Sequence, residues 1–169
     1  MEDPHAQAST ALPTGVPQAS VGVSAHFVNN VLAAAASYIE EDPEQARDVL
    51  AELGQFLSYG LRPVSTTVTL TQELEHLSTY LRLQQARFPG RIEAHLAAGP
   101  DGGGTAVTAG AVRERVAGAL ELRLRTVPGP VVIDLHASGE ALELELRGPE
   151  DLVGEAIPIP LSPIQEVAS

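Results

Sequence analysis

A proline directly after an aspartate, at Asp42-Pro43, narrows what this chain can fold into more than any other feature. Proline at the first position of a helix sacrifices no hydrogen bond, and the preceding carboxylate caps the free amides. A helix therefore starts at residue 43, and any helix before it must already have ended. The apolar residues on both sides fit that break. Before it, Phe27, Val28, Val31, Leu32, Ala34, Ala35, Tyr38 and Ile39 fall within an arc of about 160° on a helix, so a first helix is read from Ser20 to Ile39. After it, Ala46, Val49, Leu50, Leu53, Phe56 and Leu57 share one side, with Gly60 as a stop. The gap is short, so the two helices fold back as an antiparallel hairpin.

Thr69-Leu70-Thr71-Gln72 has capping-box spacing and opens a third helix that runs to Phe88, where Pro89-Gly90 stops it. Its stripe is Leu74, Leu77, Leu81 and Phe88, which leaves His76 and Arg82 expected in solvent. Between the second and third helices, Pro63 and Ser65-Thr66-Thr67-Val68 read as an extended connector. Beyond residue 90 the pattern changes. Arg91 to Leu96 alternates as a strand with His95 on its face, and Gly99 to Gly104 is turn-like. Ala109 to Arg125 is helical and carries four arginines, while Val131 to His136 and Leu142 to Leu146 form a hairpin about Ser138-Gly139-Glu140. The expected class is α+β: a disordered arm over 1–19, helices over 20–90, a small α+β module over 91–150 and a tail over 151–169.

Missing residue types exclude several chemistries. The 169 residues include no Cys, and all ten basic residues are Arg, so thiolate, Schiff-base and Walker-lysine mechanisms are ruled out. The five histidines are scattered without an i, i+4 pair, which argues against zinc. A net charge of −12 argues against nucleic acid or an anionic membrane surface as partner. No apolar run approaches the roughly 20 residues of a membrane span, and no secretion signal opens the chain, so a cytoplasmic location is expected. Aromatic residues make up only 4%, so the core must come from Ala, Leu and Val, as suits a helix bundle.

His26 lies almost opposite the centre of the first helix's apolar arc, on the side of Asn29, Asn30, Ser37 and Glu40. Held there, its imidazole meets water on a rigid rod. A solvated imidazole is largely uncharged at neutral pH and offers a lone pair to a proton, a metal or a phosphoryl group. A surface histidine with no task is the plain alternative.

Four segments, in order, bear on that choice. Ser24-Ala25-His26-Phe27-Val28-Asn29-Asn30 resembles the N-P-H-F-L-F-N pattern of the LytS-type sensor histidine kinases. Gln55 to Leu61 is similar to the family's L-s-x-l-l-R-Y-x-L, Val68 to Leu74 to its V-T-L-x-x-E-L, and Tyr80 to Phe88 to its Y-L-x-I-x-x-x-R-F. The resemblance covers Val23 to Arg91. It implies that His26 is the phosphoacceptor and that two chains pair as a homodimer through a four-helix-type bundle. Ala25 stands where the family has proline and Asn29 where it has an apolar residue, but Asn30 is kept. One turn from His26, its carboxamide can hydrogen-bond a ring nitrogen and orient the imidazole; a helical surface asparagine without a role is the other reading.

Farther on, the chain departs from the family. The ATP-binding domain's E-N-A-I-K-H-G is replaced by Ala117-Gly118-Ala119-Leu120-Glu121-Leu122-Arg123, so magnesium loses an oxygen ligand. Its D-N-G-x-G is replaced by Gly148-Pro149-Glu150, and Gly102-Gly103-Gly104 does not supply the missing phosphate lid. The resemblance thus implies a degenerate ATPase-like domain, no nucleotide or metal cofactor held by this chain, and no autophosphorylation from ATP. The layout is similar to that of the sporulation phosphorelay phosphotransferase. The function expected is a histidine phosphotransferase that relays a phosphoryl group through His26 to or from a response regulator receiver domain, which would bring the Mg2+. An upstream histidine kinase would be a second partner. An acidic chain needs arginines such as Arg47 or Arg62 at that contact. The alternative is a pseudokinase that docks a kinase or a regulator without carrying phosphate.

Overall fold

The computed structural model describes residues 23–63, 66–99, 104–138, 141–148 and 156–160. The arm expected over 1–19 lies outside them, as do Gly102, Gly103, Pro149 and Glu150. The fold is α+β, in the order α1 (Ala25–Tyr38), α2 (Pro43–Gly60), β1 (Thr67–Thr69), α3 (Leu70–Arg87), β2 (Ile92–Ala97), β3 (Ala106–Thr108), α4 (Ala111–Thr126), β4 (Val131–Ser138), β5 (Ala141–Arg147) and β6 (Ala156–Pro160).

Local caps set the helix ends. Asp42 accepts from the Gln45 amide at 3.0 Å, and both bonds of the Thr69–Gln72 capping box form. The start of α1 is later than expected: Ser24 Oγ accepts from the Phe27 amide at 3.1 Å and caps the helix at Ala25. Helices α1, α2 and α3 meet at Phe27, whose ring lies 5.2 Å from Phe56 and 5.3 Å from Tyr80 between centroids. The Tyr38 hydroxyl donates to the Ala86 carbonyl at 3.0 Å and ties the end of α1 to α3.

α3 is the central rod. It packs against the α1–α2 hairpin and also against α4 and the sheet, so residues on most of its circumference are buried. That placement corrects the expectation for His76, which is 5% exposed rather than solvated. For the first helix the correction runs the other way. Only Phe27, Val31 and Ala35 of its apolar arc are buried, and Leu32 and Ile39 face outward with Leu50 of α2 and Leu61 at its C-cap. A hairpin that packs against one partner covers only part of so wide a stripe.

The main sheet has the order β2-β4-β5-β6, with β2 and β4 parallel and the other pairs antiparallel. Two pairings were not expected. β1, within the connector, pairs with β3. β6, within the stretch read as a tail, pairs with β5. Pro158 and Pro160 suit an edge strand, because a proline has no amide to donate to a further neighbour. One hydrophobic interior runs from Val31 and Phe56 through Leu77 and Leu83 to Leu120, Ile133 and Leu144, so helices and sheet share a core. Among the described residues, no helix is long and apolar enough to cross a membrane.

Candidate functional site

His26 is the second residue of α1, and it is exposed. The helix brings Asn30 beneath it, with the amide Nδ2 3.0 Å from the ring Nε2. With the amide nitrogen facing the ring, Nε2 accepts and the ring's proton sits on Nδ1. Both residues singled out from the sequence are thus in contact, and the ring's accepting lone pair is the one on Nε2 that Asn30 holds.

The ring stands at the edge of a groove of about 270 Å³ where three helices converge. Ser24, His26 and Phe27 come from the start of α1, Gln84, Arg87 and Phe88 from the end of α3, and Glu121, Leu124 and Arg125 from α4. Arg87 is half-buried. Its guanidinium lies 5.6 Å from the centre of the Phe27 ring and 5.0 Å from that of Phe88. Its Nη1 donates to Gln84 Oε1 at 2.7 Å, and the buried Gln84 in turn donates from Nε2 to the Tyr80 oxygen at 2.6 Å. Burial pushes the Tyr80 phenol up to about 12 and lowers the Arg87 guanidinium from its ordinary value. Among the described residues, no carboxylate comes within 4.0 Å of Arg87 or Arg125. Arg87 is the arginine of the R-F segment, and nothing in its sequence neighbourhood marks it as lying beside His26. Arg47 and Arg62, expected from the sequence at a regulator contact, do not line this groove: Arg62 lies 4.5 Å over the Tyr59 ring and Arg47 is exposed on α2.

A second polar cluster joins α3 to α4. Glu73 is fully buried and accepts from the Tyr59 hydroxyl at 2.8 Å and from the amides of Gly110 at 2.9 Å, Val112 at 3.2 Å and Arg113 at 3.4 Å. The N-cap of α4 is Gly110, in a left-handed conformation and without a capping side chain, so Glu73 supplies the cap from another helix. Burial and the Glu73 carboxylate push the Tyr59 phenol well above its usual value. Beside it, His76 stacks between Phe56 and Tyr59 at 4.8 and 3.9 Å. Burial, then the nearby Arg113 and Arg62 charges, hold His76 down at about 4. Glu73 is the acid of the V-T-L-x-x-E-L segment, which was the one signal in the sequence that could have marked it.

On α4, neither Ala117 nor Gly118 has a side-chain oxygen to offer a metal ion. The described residues include no group of three or more His, Cys, Asp or Glu arranged to hold a metal ion.

Comparison with known proteins falls on the helices that carry His26. The family model described as Histidine kinase matches residues 20–92. Over that segment the chain is similar to the LytS-type sensor histidine kinases. It is 36% identical over 75 residues to the sensor histidine kinase BtsS of Escherichia coli K12, a match that covers 44% of this chain and 13% of that protein. To the sensor protein LytS of Oceanobacillus iheyensis it is 39% identical over 75 residues, again 44% of this chain and 13% of the relative. To LytS of Enterococcus faecalis it is 38% identical over 72 residues, 42% and 12% of the two chains. The matched stretch is therefore a small part of each of these relatives.

Proposed function

We propose that this chain is a histidine phosphotransferase: His26 takes a phosphoryl group from, or gives it to, the receiver domain of a response regulator, without autophosphorylation from ATP. The observation that carries the reading is the exposed His26 imidazole with Asn30 on its Nε2. In the forward step the Asn30 amide moves off Nε2, whose lone pair then forms the P–N bond as the P–O bond to the receiver's aspartate breaks. The aspartate leaves as a carboxylate, and the proton on Nδ1 stays with the ring. The receiver supplies Mg2+, and this chain supplies a nucleophile of fixed tautomer and orientation. Ala117 and Gly118, in place of oxygen-bearing residues, support a relay rather than a kinase.

Homodimerisation belongs to the same reading. Leu32, Ile39, Leu50 and Leu61 are exposed on the α1–α2 hairpin, and pairing two hairpins would remove them from water.

Labelled ATP is expected to leave the purified protein unlabelled. A phosphorylated cognate receiver is expected to transfer an acid-labile, alkali-stable phosphate that His26→Ala abolishes. A protein that binds the receiver tightly yet never takes label would instead be the docking module without phosphotransfer, and labelling from ATP alone would make it a kinase.

A further inference from the structure

Arg87 carries an unresolved electrostatic cost. A half-buried guanidinium is costly unless an anion compensates it, and among the described residues no carboxylate lies within 4.0 Å. Among the described residues its hydrogen bond goes to the neutral Gln84. That bond and the Phe27 and Phe88 rings hold the planar fork in place, which is the preorganisation that bidentate recognition of phosphoryl oxygens rewards. Arg125 reaches the same groove from α4, and Glu121 offsets only one of the two positive charges. His26 lines the groove too. In a chain of net charge −12, a surplus of positive charge beside the exposed imidazole runs against the overall composition.

We infer that the groove between α1, α3 and α4 is a phosphoryl-binding site, in which Arg87, assisted by Arg125, holds the oxygens of the phosphoryl group carried on Nε2 of His26. The inference rests on the reading of His26 as the phosphoacceptor and adds what holds the group once it is there. Asn30 Nδ2, released from the ring nitrogen when the P–N bond forms, becomes a further donor to the same oxygens.

Potassium phosphoramidate separates this site from the relay itself. It phosphorylates imidazole without a protein donor: Nε2 attacks phosphorus, the P–N bond of the reagent breaks, and ammonia leaves. The full chain so treated is followed by 31P NMR against pH. A guanidinium beside the phosphohistidine disfavours its protonated form and lowers the titration midpoint of the 31P signal. Arg87→Gln is expected to raise that midpoint by about half a pH unit or more, and Arg87→Lys to restore most of the wild-type value. Arg125→Gln, an exposed substitution with little folding burden, is expected to raise it by less. Arg47→Gln is expected to leave it unchanged. Equal midpoints in wild type, Arg87→Gln and Arg125→Gln would overturn the assignment. So would a lysine that fails to restore the midpoint, or a His26 that takes no phosphoryl group from phosphoramidate. If receivers fail to label His26 while the Arg87 shift is present, only the relay falls.

Discussion

His76 and His26 show how far two histidines of one bundle can be driven apart. His26 is exposed with its Nε2 held by Asn30, whereas His76 is closed between two rings with its Nε2 buried and, among the described residues, without a hydrogen-bond partner. The cost of charging His76 makes folding sensitive to acid. Unfolded, it takes a proton near 6.5; folded, it holds out to about 4. Between those values the unfolded chain binds more protons, so the stability involved is complete above 6.5 and is lost as pH falls towards 4. From pH 7 to pH 5 the loss is about 2 kcal/mol at most. Urea denaturation of wild type is expected to show it, and His76→Phe, which keeps the stack and cannot ionise, is expected to flatten that part of the profile. At His26 the matching expectation concerns Asn30. Replacing Asn30 by Ala frees the ring to rotate and exchange tautomers, and phosphotransfer measured with a phosphorylated receiver should slow by about tenfold while His26 remains the labelled site.

Among the elements, α4 depends most on a residue it does not contain. Its first turn has no side-chain cap of its own, and the amide of its N-cap Gly110 and two of its own amides, with the Tyr59 hydroxyl, converge on Glu73 of α3. Glu73→Ala would leave these donors unpaired in the interior and is expected to cost about 3 kcal/mol. Hydrogen exchange should quicken first at Gly110, Val112 and Arg113. Glu73→Gln keeps an accepting oxygen and should recover part of the loss. The elements also differ in how well they could be read. Asp42 and the Thr69–Gln72 box act within three residues, so α2 and α3 begin where the sequence places them. β1 and β3 are three residues each and are strands only because they pair across nearly forty residues of chain. No short window of sequence holds that partnership.

At the scale of the molecule, the apolar residues left outside the core are as informative as those within it. Leu32 at 43%, Ile39 at 60%, Leu50 at 47% and Leu61 at 80% exposure all lie on α1 and α2 or at their C-caps, within the matched segment. Light scattering is expected to give a dimer at micromolar concentration. The pair Ile39→Glu and Leu50→Glu, outside the hydrophobic core, should yield a monomer with unchanged helix content by circular dichroism.

The sequence by itself determined whatever depends on near neighbours: the class of the fold, the capped starts of α2 and α3, the β4–β5 hairpin and a histidine on the outer side of α1 with Asn30 one turn away. Those follow from hydrogen bonds and periodicities that span a few residues. Only the tertiary structure decided that α3 is enclosed on most sides, which buries His76 and turns Glu73 into a cap for α4. It also decided that Arg87 and Arg125, nearly forty residues apart, share a groove with His26. Burial and charge pairing are set by whatever packs alongside, and that is a property of the assembled fold rather than of any stretch of chain.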